Sequence, residues 1–340
     1  MARRFTVSGF CGVAIAAVFA LAGLIGFGTV NGYAQRIAFT IATGPSSGTY
    51  FPVGEMIAGI ISHPPGVDRC QRTTACGPEG LIASAQTSAG AFANVLLVES
   101  GRADSALAQS DVVAQAVAGK GAFKKKQTHI RAIAALFPEE LHLVVSTRAR
   151  IDSIAKLRGK RISVGAQNSG TAVTARAVLA AYRLRAKTSH DPADLAAQKL
   201  LNGKIDAFFF VGGAPVPLVQ GLIDSGRATL LPIDGAGRDR LLARSEGISE
   251  DRILPGTYGR LGAVPTVSVR ALWIVNDRDT KAAVYAITRS LFNPSNRKLL
   301  IQGPPAGRAI ALTKAFRDLP APLHPGAEAF YREIKRQGSP

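Results

Sequence analysis

A chain of 340 residues with 47% hydrophobic and only 19% charged residues is long enough for two domains and too apolar to stay disordered. Its 35 glycines and 19 prolines follow no period, which excludes collagen, and 6% aromatics is thin for a protein that stacks bases. Lys and Arg outnumber Asp and Glu by 41 to 23, a formal charge of +18, but the one dense basic run is Lys124-Lys125-Lys126. Charge scattered in this way describes a solvated face with a long-range pull on anions rather than a nucleic-acid groove.

Arg3 and Arg4 precede a charge-free apolar stretch, densest over 13–27, and Gly32-Tyr33-Ala34 sets small residues where a signal peptidase reads. Residues 1–34 are therefore expected to be a secretory signal peptide, which places the mature chain in the periplasm. An uncleaved anchor is the second reading, because the charge-free run reaches Gln35. Phe10 rules out a lipid-attachment motif at Cys11, and no later segment approaches the ~20 apolar residues of a membrane span. Removing Cys11 leaves Cys70 and Cys76, an even pair in an oxidising compartment, expected to close a disulfide over a turn-rich loop. A metal site built from this pair and His63 matches no zinc spacing.

The remaining chain alternates strands and helices. Residues 36–42 read as a buried strand, followed by the loop Thr43-Gly44-Pro45-Ser46-Ser47-Gly48. A helix opens near Thr49, with Pro52 in its first turn and Met56, Ile57, Ile60 and Ile61 at helical spacing. Strand 81–87, helix 89–100 closed by Gly101, strand 104–109 and a helix capped by Ser110 and ended by Gly119 follow. Residues 130–136 and 141–146 read as two strands, and 162–165 as another. The loop Ala166-Gln167-Asn168-Ser169-Gly170-Thr171 then opens a helix whose apolar face is Val173, Ala177, Ala180, Ala181 and Leu184. Strand 205–211 leads through Gly212-Gly213-Ala214-Pro215 into a helix. Strand 228–233 and a long strand 264–275 precede a mostly helical end. Such alternation implies α/β layers with parallel pairing.

Two loops share one chemistry. Ser46-Ser47-Gly48-Thr49 and Asn168-Ser169-Gly170-Thr171 both run from a strand into a helix. A helix start leaves N–H groups unpaired at the positive end of the macrodipole, and glycine lets a guest approach the backbone. Each loop is a candidate seat for a carboxylate or similar anion; each is equally a plain helix cap.

The run Thr43 to Gly54 (TGPSSGTYFPVG) resembles the opening motif of the TAXI-type solute-binding proteins, the extracytoplasmic receptors of one branch of TRAP transporters. The resemblance continues through Thr87-Ser88-Ala89-Gly90-Ala91-Phe92-Ala93-Asn94, Gly101-Arg102-Ala103-Asp104 and Gln109-Ser110-Asp111. It reaches Leu157 to Gly165 (LRGKRISVG), Ser169-Gly170-Thr171, Ile205-Asp206-Ala207-Phe208-Phe209, Pro265-Thr266-Val267 and His324-Pro325-Gly326-Ala327. It implies an α/β, two-lobed type II periplasmic-binding-protein fold with hinge strands and an interlobe cleft. Lobe 1 would comprise 35–142 plus 267–340, and lobe 2 would comprise 143–266. It further implies capture of a small anionic guest, a carboxylate such as glutamate or 2-oxoglutarate, and delivery to TRAP membrane permease subunits by a monomer without cofactor. The Cys70–Cys76 segment departs from the pattern as an insertion, and Ala89-Gly90 stands where family members often carry Gly-Ser.

The candidate ligand-binding residues are Ser47, Gly48, Thr49, Tyr50, Asn94, Gln109, Ser169, Gly170, Thr171 and Gly213. Tyr50 either covers the guest or packs in the core with its hydroxyl capped. Asn94 either donates to a polar group or lies on the surface. Gln109 ends a strand on the side where open α/β sheets bind ligands, or bonds a neighbouring loop. Gly213 either presents an N–H at a helix start or makes a turn, and Thr266 belongs to a hinge strand. His63, His129, His142, His190 and His324 lack ligand spacing, so no metal is expected. No nucleophile elbow, phosphate loop or dinucleotide fingerprint is present, which argues against an enzyme. A receptor for a signalling kinase or an ABC importer is the alternative binding role, and an exported enzyme on the same fold is the alternative outside binding.

Overall fold

The structure is a computed structural model that describes residues 36–66, 70 and 75–338. The expected signal segment 1–34 lies outside the described residues. Among the described residues no helix is long and apolar enough to cross a membrane.

The chain begins with β1 (Ile37–Ala42), α1 (Tyr50–Ile61), β2 (Leu81–Gln86), α2 (Ala91–Glu99), β3 (Ser105–Gln109) and α3 (Ser110–Ala118). Val53, Ile57, Ile60 and Ile61 place the buried face of α1 against the sheet, each contributing about 1.5–3 kcal/mol. Gly119 ends α3 in the left-handed conformation, φ 65°. Ser110 is the first residue of α3 and not its cap. Its hydroxyl donates to Gly247 O at 2.6 Å and accepts from Arg270 N at 2.9 Å.

β4 (Ile130–Ser146) corrects the sequence reading most. The two expected strands are one strand of 17 residues, running straight through Pro138-Glu139-Glu140. Pro138 is tolerated because it is exposed and β7 joins the ladder only from Glu140 onward. Then come β5 (Arg161–Ser163), α4 (Gly170–Ala181), β6 (Lys187–Ser189), α5 (Ala193–Leu201), β7 (Ala207–Gly212) and α6 (Pro217–Asp224). β8 (Ala228–Leu230), α7 (Gly235–Leu242), β9 (Ile248–Ile253) and β10 (Val264–Asn276) follow, and α8 (Lys281–Leu291), α9 (Arg297–Gln302) and α10 (Pro325–Arg336) complete the fold. The short elements β6, α5, α7 and β9 escaped the sequence reading, being polar or only three to nine residues long. On α4 the buried stripe includes Val178 and Leu179, whereas Ala180, expected inside, is exposed.

One sheet runs β2-β1-β3-β10-β4-β7-β5-β6, with β8 paired to β4 and β9 to β10. The outer trios, β2-β1-β3 and β7-β5-β6, are parallel as alternation predicts. The central strands are not: β10 is antiparallel to β3 and β4, and β4 to β7. β4 and β10 are therefore the strands that pass between lobes. One hydrophobic core draws mainly on 39–137 and 271–331, and two others draw on 141–269 and 144–264. The changeover falls where Pro138 faces Arg270 and Glu139 faces Val269. The β4–β10 ladder slips register at Ala271/Leu272 and again at Trp273/Ile274, bending the sheet beside the crossing.

Candidate ligand-binding site

The strand-to-helix loops of both lobes open onto one cavity of about 90 Å³. Such a volume is several times the ~10–15 Å³ that admits a single water, room for a small guest. Gly48, Thr49 and Tyr50 at the start of α1 form one wall, with Ala89–Ala91 and Gln109. Ser169, Gly170 and Thr171 at the start of α4, with Pro192-Ala193 at the start of α5 and Phe209–Val211 from β7, form the opposite wall. Glu139, at the crossing point of β4, lines it as well.

Local sequence explains the two main walls. At α1 the first N–H groups without an intrahelical partner are those of Tyr50 and Phe51, since Pro52 has none. Thr49, the N-cap, makes no capping bond with its side chain, and its hydroxyl reaches toward Gly212 on the other lobe. At α4 the Ser169 hydroxyl is already committed, accepting from Ala172 N at 3.1 Å and donating to Ala166 O at 2.7 Å. Thr171 Oγ1 accepts from Val211 N at 3.2 Å, which ties α4 to β7. Two glycines let the walls approach. Gly90 has φ 110° ahead of α2, a backbone that side chains avoid. A Cβ on Gly170 would fall 1.5 Å from Gln109 Oε1 and 2.9 Å from Ala91 Cβ.

Gln109 is 3% exposed, and its Oε1 is buried with no hydrogen-bond partner. An unpaired buried amide oxygen costs about 1–3 kcal/mol, and Gln109 carries that cost in the wall of the cavity. Tyr50 packs in the core with its hydroxyl capped, and it also lines the cavity. Its ring is buried edge-on to Phe137, and its hydroxyl donates to Glu139 Oε2 at 2.7 Å while lining the cavity.

Three expected residues stand elsewhere. Asn94 is wholly buried, and its amide nitrogen donates to Thr43 O at 2.5 Å and Leu107 O at 2.7 Å, while Ser88 Oγ donates to its oxygen at 2.6 Å. It is neither a surface residue nor a wall of the cavity; it fixes the end of β1 from which the α1 loop springs. Ser47 is exposed on the outer turn of that loop. Gly213 starts no helix, because α6 begins at Pro217, and it packs by Ala306 and Pro138 O.

Glu139 is the residue that the sequence reading missed, and the cause is the split strand: Pro138-Glu139-Glu140 looked like a loop. The usable signal was an acidic pair inside an otherwise continuous apolar run. Glu139 is 2% exposed. Burial pushes its carboxyl up to about 8, with Asp111 and Glu140 adding to the rise and the Tyr50 hydroxyl opposing it. Burial likewise raises Asp111 to about 6, against hydrogen bonds from Thr174 and Val112, and Glu140 to about 7, against the bond from Ala214 N. The Tyr50 phenol is held well above its ordinary value by burial and by Glu139. Burial pushes His142 down to about 4, so it is neutral. Tyr258 accepts from Val216 N and donates to His142 Nε2, leaving His142 Nδ1–H to donate to Glu140 O.

Cys70 and Cys76 form a disulfide, with Cα atoms 5.4 Å apart, away from the cavity. Among the described residues, no group of three or more His, Cys, Asp or Glu is arranged to hold a metal ion.

One core on one side and two on the other, joined by crossing strands with the cavity at the crossing, define the two-lobed fold of periplasmic binding proteins. The chain belongs to the NMT1-like family, whose profile matches residues 41–334. Among solved structures it is similar to one described as a periplasmic transporter, at 14% identity over 90% of this chain and 94% of that one, TM-score 0.52. It is also similar to MatC from Rhodopseudomonas palustris with bound malate, at 11% identity over 89% and 98%, TM-score 0.51. A TctC solute-binding protein from Polaromonas, without ligand, is 17% identical over 90% and 99%, TM-score 0.44.

Proposed function

We propose that the protein is an extracytoplasmic solute-binding receptor that closes its two lobes, which meet near Glu139 and Val269, on a small carboxylate. The observation that carries this reading is convergence: the helix starts of α1 and α4, one from each lobe, face one cavity that also holds the unpaired Gln109 amide. Backbone N–H groups and the macrodipoles would take the carboxylate oxygens, and closure would strengthen each bond by excluding water. The malate bound to MatC on the same fold supports a guest of this size. The TAXI-like motifs make a TRAP-type permease the destination, with the receptor acting as a monomer in the periplasm.

The test is a thermal-shift and calorimetry panel of malate, succinate, glutamate and 2-oxoglutarate on the mature protein, with mass spectrometry of any small molecule that co-purifies. A guest at 100 times its Kd should stabilise the protein by about 2.7 kcal/mol, a shift on the order of 5 °C. Binding should fall in the double variant Thr49→Ala plus Thr171→Ala. Unchanged affinity in that variant would refute the assignment of these residues.

A further inference from the structure

An anion that enters this cavity finds no cation in its walls. Among the described residues that line it, none is Lys, Arg or His. The ionisable groups that face Glu139 are Tyr50 from α1, Asp111 from α3 and Glu140 from its own strand, all acids. On β10, Arg270 is the register partner of Pro138, but its guanidinium turns away to donate to the carbonyls of Arg317 and Lys314. His142 is buried and neutral. From α4 and α5 the cavity receives Gly170, Thr171 and Ala193, which carry no charge.

Glu139 Oε2 accepts the Tyr50 hydroxyl proton, so a proton on this carboxyl belongs on Oε1. Given the anionic guest proposed above, on which this step rests, we propose that Glu139 is the specificity-determining residue of the cavity. As a neutral carboxylic acid held in place by Tyr50, it donates a hydrogen bond to a carboxylate oxygen of the guest, in the role that a cation fills elsewhere. Its burial, and the neighbouring Asp111 and Glu140, favour the protonated form at neutral pH. A bound carboxylate adds another negative charge and favours it further. The geometry also discriminates: a guest whose charge at this end is positive would need the ionised carboxylate instead, and would bind better as pH rises.

The experiment is calorimetric titration of the intact mature protein from pH 6 to 9.5. The probe is whichever of malate, succinate and 2-oxoglutarate binds most tightly at pH 6.5. Affinity should be level below pH 7 and fall about tenfold per pH unit above pH 8, the slope of one lost proton. Glu139→Gln keeps an oxygen for Tyr50 and a permanent N–H donor for the guest, so it should bind within about threefold of the parent at pH 7 and lose the slope. Glu139→Ala should lose at least about tenfold. Affinity that rises with pH and collapses in Glu139→Gln would overturn the inference in favour of a paired guest cation. A slope that survives Glu139→Gln would assign the proton to Glu140 and overturn it too. Binding without any slope overturns it while leaving the anionic reading standing. Failure of every probe at every pH overturns the anionic reading itself, and this inference with it. The pH profile of the unmodified protein needs no variant to fold.

Discussion

Asp111→Asn is the perturbation with the most legible energetics. Asp111 sits in the first turn of α3, 1% exposed. Its Oδ1 accepts from Val112 N at 2.8 Å and its Oδ2 from the Thr174 hydroxyl at 2.7 Å, and Thr174 lies on α4 in the other lobe. Burial outweighs both bonds and lifts the carboxyl from 3.8 to about 6. The folded value lies above the unfolded one, so this group favours the folded state fully below pH 3.8. That advantage drains away as pH climbs and is gone above about pH 6. A rise of that size corresponds to about 3 kcal/mol. An amide resembles the protonated acid and does not titrate. Thr174 retains an outlet for its proton, since Gly170 O lies 3.2 Å from its hydroxyl. Asp111→Asn should therefore match the parent near pH 4 and exceed it by up to about 3 kcal/mol at pH 7.5. Urea unfolding at a series of pH values, extrapolated linearly, reads the difference directly. An offset that is the same at pH 4.5 and pH 7.5, or a variant less stable than the parent at pH 7.5, would refute the assignment of a strained buried carboxylate.

Two other substitutions probe the cavity and the loop. Gly170→Ala puts a methyl group where Gln109 Oε1 and Ala91 already stand. Overpacking of about 1–3 kcal/mol should fall on the closed, liganded form, lowering guest affinity roughly 5- to 150-fold in calorimetry while the circular dichroism spectrum stays unchanged. Replacing both Cys70 and Cys76 by Ser opens a loop with a sequence separation of 6. The chain-entropy model gives a loss of about 2–3 kcal/mol, seen as a lower urea midpoint, with affinity for the guest untouched because the bridge lies outside the cavity. An unchanged midpoint in the double variant would contradict that loss.

Much of the fold could be read from sequence because its signals are local. Of the α1 stripe, Ile57, Ile60 and Ile61 are read correctly, while Met56 is only half-buried and Val53 takes its place; the glycine after α3 and the long apolar β10 also declare themselves within a dozen residues. The lining glycines and threonines of α1 and α4 were legible for the same reason, since strand–loop–helix junctions carry their own composition. What stayed hidden depends on partners far along the chain. Asn94 looked like a residue free to meet a ligand, but Thr43 and Leu107 claim its amide. The Ser169 hydroxyl looked like a donor for a guest, but its proton goes to Ala166 O in the preceding loop while its oxygen caps its own helix. The antiparallel centre of the sheet was invisible to a rule that reads alternation as parallel pairing, because β4 and β10 meet across some 130 residues of sequence.

Glu139 shows why the hinge is where sequence reasoning loses most. A proline followed by two glutamates has the composition of a turn, and local propensity alone assigns it so. Three contacts override that assignment: the β10 ladder holding Glu139 opposite Val269, the Tyr50 hydroxyl supplied by α1, and β7 joining at Glu140. All three come from elements that sit on different sides of the lobe boundary, so the conformation of this tripeptide exists only when both lobes are assembled around it. A residue held by both lobes at the point where the strands cross would change its solvation if the lobes parted. Charge placed there is felt by closure itself. It follows that substitutions at Glu139 should alter guest affinity and its pH dependence together, whereas substitutions at Asn94, anchored within one lobe, should cost stability without moving the pH profile.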